Sequence, residues 1–127
     1  MKRRIKIIVG NLELEAWLNE TKTSGKVFEA LPIASTVNTW GDEIYFTIPV
    51  DAKPEDAKEL VSLGDIAYWP PGKAMCLFFG KTPISKGDEI RPASPVNIIG
   101  KVEGDLKLLR KVKDGEEIVI RQAGKAL

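Results

Sequence analysis

The 127-residue sequence has no histidine and a single cysteine, Cys76. The first absence removes histidine-based triads, histidine general bases and zinc sites of the Cys/His kind. The second removes any disulfide within the chain. An excess of one charge is also missing: 19 basic residues face 18 acidic ones, a formal net charge of +1. Little long-range field remains to draw in a polyanion, and the basic start Lys2-Arg3-Arg4 is joined by no second basic cluster, so no nucleic-acid partner is expected. Long apolar runs are lacking as well. None approaches the ~20 residues that span a bilayer, and the first residues form no signal-peptide core, so a cytoplasmic protein with no membrane partner is expected. Scarce Met and Cys beside frequent Lys and Glu fit a thermophilic source.

What is present reads as one globular domain over residues 1–127, with 43% hydrophobic and 29% charged residues. Ile5, Ile7 and Val9 alternate with their neighbours, Gly10-Asn11 turns the chain, and Leu12, Leu14, Ala16 and Leu18 alternate again, which predicts a β-hairpin. Val27, Ala30 and Leu31 follow possible caps at Thr21, Thr23 or Ser24 and predict a short helix ended by Pro32 that covers an open end of the sheet. Extended runs are predicted over 35–40 and 43–48, and either a brief helix or an irregular excursion over 51–63. Strands are expected again at 66–69, 73–79, 96–102 and 117–121, with a short helical turn near Leu106 to Leu109 and a frayed tail over 122–127. Gly-Asp recurs at Gly41, Gly64, Gly87 and Gly104; the segments between are dissimilar, so these pairs mark strand turns. About eight strands with regular turn signals predict a mainly β chain closed into an eight-stranded barrel with short capping helices.

The run 74–79 is apolar on both faces, with Ala74, Cys76 and Phe78 on one side and Met75, Leu77 and Phe79 on the other, so this strand should be covered on each side at the centre of the fold. The preceding Trp69-Pro70-Pro71-Gly72 reads both as a stiff corner and as the wall of a pocket. Tyr45 and Phe46 are neighbours on a strand and face opposite sides, so one of them is core. Glu43 opens an apolar strand beside Trp40 and is a better acid/base candidate than the solvated Asp42. Cys76, between apolar neighbours, reads as a buried inert thiol.

Three blocks resemble a small group of cyclophilin-like proteins of unknown function from archaea and bacteria: WGDEIYF at Trp40 to Phe46, GDIAYWPPGKAMCLFFGKTP at Gly64 to Pro83, and ASPVNIIGKVEGD at Ala93 to Asp105. The resemblance covers nearly the whole chain and implies the cyclophilin barrel. True cyclophilins isomerise Xaa-Pro bonds by placing an arginine at the prolyl nitrogen, on the strand after the first helix. Here no arginine occurs between Arg4 and Arg91, and the corresponding run STVNTW carries none. In the same comparison Phe79 takes a pocket position, Arg91 falls where the pocket tryptophan stands, and Val96 where the pocket histidine stands. The expectation is a binding protein with little or no isomerase activity, taking a peptide or small ligand beside Trp40, Glu43, Tyr45, Trp69, Phe79 and Arg91, with no metal or cofactor. Two alternatives stay open: a divergent isomerase or carboxylate-assisted enzyme using Glu43 with Arg91 as anion anchor, and an interaction protein using the 81–95 loop.

Overall fold

The computed structural model describes residues 3–123. Strands β1 (Arg3–Val9) and β2 (Leu12–Leu18) form the hairpin, in register from Arg3 opposite Leu18 to Val9 opposite Leu12. Their alternate residues Ile5, Ile7, Val9, Leu14, Ala16 and Leu18 are buried. Helix α1 (Lys22–Glu29) starts at Thr21, whose side chain accepts a hydrogen bond from the Ser24 N–H. That bond satisfies one of the free donors of the first turn, and Val27 inserts into the core.

The remaining strands are β3 (Ile33–Thr36), β4 (Asn38–Thr39), β5 (Glu43–Thr47), β6 (Asp65–Trp69), β7 (Ala74–Phe78), β8 (Asn97–Val102) and β9 (Glu117–Gln122). The sheet runs β3-β9-β1-β2-β8-β6-β7-β5-β4 and is nearly closed. It has nine strands rather than eight because the extended run 33–39 is divided. Its first half pairs with β9 and its second with β5, and at Val37 between them the backbone bonds to Glu116 and Gly115. One stretch of chain thus serves both edges, and the Ser35 hydroxyl adds a 2.7 Å bond to the Thr47 carbonyl across the closure. All four Gly-Asp glycines have positive φ, as turns require.

Alternation along β5, β6 and β7 sorts their side chains into two clusters. Ile44, Phe46, Ile66, Tyr68, Met75 and Leu77 enter the barrel interior with the hairpin residues. Ala67, Cys76 and Phe78 form a second cluster on the outer face, with Tyr45 and Trp69 packed against it. Two segments without helix or strand cover that outer face. The 51–63 excursion, for which a brief helix was one alternative, is irregular: Lys58 bridges to Val96 and Val61 to Ile90, so it is held by the second covering segment rather than by its own turns. Residues 106–111 form the expected short helical turn, here a 3-10 helix. The last strand runs further than expected, since Gln122 pairs with Ile5 and the Ala123 N–H bonds to the Arg4 carbonyl. The rest of the tail read as frayed, 124–127, lies outside the described residues. No helix among the described residues is long and apolar enough to cross a membrane.

Tyr68 ties barrel to cover. Its buried hydroxyl donates to the Val50 carbonyl at 2.6 Å and accepts from the Ala52 N–H at 3.1 Å. Tyr68→Phe strands both backbone groups, and urea unfolding is expected to show a loss of about 1–3 kcal/mol. An unchanged midpoint and slope would mean that water replaces the hydroxyl at no cost.

Candidate functional site

A cavity of about 140 Å³ opens on the outer face of the barrel, lined by Trp40, Glu43, Tyr45, Trp69, Cys76, Pro92, Ala93 and Val96. The strand period of two explains its floor. Glu43 and Tyr45 stand two apart on β5, Cys76 lies opposite Tyr45 on β7, and Trp69 closes the neighbouring β6. Trp40 is brought over them by a tight turn in which the Trp40 and Glu43 backbones bond each other at 2.9 and 3.2 Å. The 92–96 segment returns across the front.

The proline corner sets the position of Trp69. Pro70–Gly72 is a single 3-10 turn, and the left-handed residue after it is Lys73, with φ of 48°. Gly72 is needed for a different reason: a β-carbon there would fall 2.6 Å from two ring atoms of Trp69. An edge of the indole's six-membered ring sits against the glycine, and the indole N–H donates to the Ser94 hydroxyl at 2.6 Å. Corner and pocket wall are one device, and the ring is held before any ligand arrives.

Glu43 is the chemically distinctive group. It is 6% exposed, and burial among rings pushes its carboxyl from the ordinary 4.5 to about 7, slightly offset by a hydrogen bond from the Cys76 thiol. Burial, and then the Glu43 charge, pushes that thiol well up, so Cys76 stays protonated and inert while still lining the pocket. No lysine or arginine lines the cavity, and no ion pair to Glu43 occurs among the described residues.

Of the six residues singled out in the sequence, the fold brings Trp40, Glu43, Tyr45 and Trp69 together. Phe79 is elsewhere: it directly follows β7, packs with Met75 and Leu77 in the main core, and borders a shallow depression with Thr39, Gly41, Asp42, Arg110 and Val112. Arg91 does not line the pocket either. Its guanidinium grips Glu89 with bonds of 2.8 and 3.3 Å, which removes it as an anion anchor beside Glu43. Cys76, Pro92 and Ala93 complete the lining without having been singled out for it, together with Val96, which stands at the pocket histidine's position in the comparison with cyclophilins.

A larger polar groove lies between α1 and residues 51–55. Its anion position, the first turn of α1, is already filled by the Glu55 carboxylate, which accepts from the Lys22 and Thr23 N–H groups and the Thr23 hydroxyl. Those bonds lower the Glu55 pKa, the Thr23 backbone bond most. The aromatic pocket is therefore the better candidate.

A search of curated proteins finds no match. Among solved structures, the hypothetical protein AF2241 from Archaeoglobus fulgidus is 50% identical over 96% of this chain and 95% of its own, with a TM-score of 0.82. McbB, solved in complex with tryptophan, is 16% identical over 97% of this chain but only 46% of its own, with a TM-score of 0.69, a likeness of fold alone. The family model described as Cyclophilin-like matches residues 3–121. The outer-face pocket thus sits on a known barrel, and the chain belongs to the cyclophilin-like family.

Proposed function

We propose that this chain is a binding module whose aromatic pocket takes one ring-sized group of a peptide or small ligand, and that it does not turn over prolyl bonds efficiently. The observation that carries the reading is the cavity walled by Trp40, Tyr45 and Trp69. Its volume matches the roughly 150 Å³ that holds a benzene ring in a dry protein cavity, so it accepts a single side chain rather than a whole polypeptide segment. The ring fixed by Ser94 and Gly72 supports a site made ready in advance.

Isomerisation asks for more than a pocket. Rotation about Xaa-Pro localises a lone pair on nitrogen, and a positioned cationic donor lowers that barrier. Among the described residues the lining offers carboxyl, thiol, phenol and indole but no cation. A carboxylate-assisted hydrolase fares no better, since Glu43 is the one carboxylate in the lining and the cation meant to accompany it is paired with Glu89.

A protease-coupled assay with proline peptides is expected to give the uncatalysed rate. In parallel, tryptophan fluorescence titrated with ring-bearing peptides and small molecules should report saturable binding, weakened about tenfold or more in Trp69→Ala. Efficient turnover would refute the non-catalytic part, and binding indifferent to Trp69 would refute the pocket.

A further inference from the structure

We infer that the pocket takes an alkylated ammonium group, with its positive nitrogen over the Glu43 carboxyl and its carbon substituents against Trp40, Tyr45 and Trp69. The inference rests on the pocket being the ligand site and adds the chemistry of the group it selects. Three aromatic rings and a carboxyl converge on one cavity of about 140 Å³. Aromatic faces are electron-rich and attract cations, most strongly where water is excluded. Glu43 is 6% exposed, with no salt bridge among the described residues and only the Cys76 thiol, a weak donor, as its partner. A buried carboxylate without a counter-ion is costly, and a ligand cation would relieve that cost.

Other ligand classes fit less well. An anion would meet Glu43 with no basic residue to offset it. A hard metal ion wants six or more oxygens, and the lining supplies one carboxylate. A primary ammonium carries three N–H donors that need acceptors, which Glu43 alone cannot satisfy. A tertiary or quaternary ammonium has at most one N–H and presents carbon to the rings, so the lining suits it on every side.

The pairing should depend on pH. Glu43 must be ionised to hold the cation, and its carboxyl in the empty pocket titrates at about 7. The other titratable groups around it are the Cys76 thiol on β7, which stays neutral, and the Tyr45 phenol on β5. Asp42, the preceding residue, faces the depression beside Phe79, and Arg91 and Glu89, next to Pro92, neutralise each other. Since apparent affinity scales with the competent fraction, binding should weaken about tenfold from pH 8 to pH 6.

The test is a titration of the full chain, followed through its indole N–H resonances, with choline and with its uncharged carbon isostere, the alcohol in which carbon replaces the quaternary nitrogen. Choline is expected to bind at least tenfold more tightly than the isostere at pH 8. That preference should shrink at pH 6 and shrink likewise in Glu43→Gln at pH 8, where only the attraction of the rings for the cation remains. A peptide bearing trimethyllysine forms a further arm, and whichever of it and choline binds more tightly, cationic preference supports the assignment and names the source. Equal binding of choline and isostere at both pH values overturns the ammonium inference while leaving an apolar binding pocket. If choline, the isostere and ring-bearing peptides all leave Trp40 and Trp69 unperturbed, both this inference and the binding reading fall.

Discussion

Urea unfolding at pH 5 and pH 8 is expected to show a chain that loses about 2.5 kcal/mol of stability as Glu43 ionises, a loss that Glu43→Gln removes. A carboxyl that titrates at about 7 when folded and at 4.5 when free holds its proton more tightly in the native state. The folded chain therefore binds more protons than the unfolded one between these values, and stability falls as pH rises through that window. At about 1.4 kcal/mol per pH unit the penalty reaches about 3 kcal/mol above pH 7. The effect is separable from acid denaturation. Glu55 and Glu89 have lowered pKa values, set mainly by Thr23 and Arg91, so their contributions are lost only as pH falls below the ordinary carboxylate range. The Gln variant lacks the titrating group, so the parent-minus-variant difference should move by about 2.5 kcal/mol between the two pH values, part of the penalty being already present at pH 5. A constant difference would mean that Glu43 titrates as an ordinary exposed acid and that the pocket is wet.

Gly100→Ala is expected to be the most damaging glycine-to-alanine change among the described residues. A β-carbon at that position would lie 2.1 Å from the Trp17 carbonyl oxygen and 3.0 Å from the Leu18 Cα, both backbone atoms of β2 that cannot rotate away. Gly100 is also where the two halves of the sheet meet. It pairs with Leu18 on one side and Ile66 on the other, and β2 with β8 is the junction between the hairpin half and the half that carries the pocket. Relief requires the strands to part, at a cost of roughly 3 kcal/mol or more in the absence of a flexible neighbour. Thermal unfolding followed by circular dichroism checks this, and a midpoint within a degree or two of the parent would show that the seam can open freely. Because Gly100 does not line the pocket, a folded remnant of the variant should still bind ligand.

Much of the site follows from a period of two. Cys76 and Phe78 fall on the face opposite Met75 and Leu77, and Phe46 goes inward while Tyr45 goes outward, as strand geometry requires. The same rule sends Phe79 inward with Leu77. Motif likeness alone places Phe79 in the pocket, and alternation within AMCLFF opposes it. Cys76 is the buried, inert thiol its apolar neighbours imply, yet a thiol unfit for attack still forms a wall and donates to Glu43. Val96 stands at a pocket position in the resemblance, but Pro92 and Ala93 were not legible. Their place depends on how the covering segments fold back, which is set by the Lys58 to Val96 and Val61 to Ile90 bridges between residues roughly 30 or more apart in sequence. Arg91 shows the same limit: its partner Glu89 is two residues away, but only the turn of the loop aims the two together. The ninth strand arises from a break at Val37, where one extended run changes partner, and no local residue pattern announces it.

The most direct test of the central claim, that the outer-face cavity is where this barrel meets its ligand, is a fragment screen by two-dimensional NMR of the labelled chain. Hits should shift a contiguous set comprising Trp40, Glu43, Tyr45, Trp69 and Val96 and leave residues 22–26 and 51–55 still. Hits that map instead to the groove beside α1, or an aromatic pocket silent to every ring offered, would contradict it.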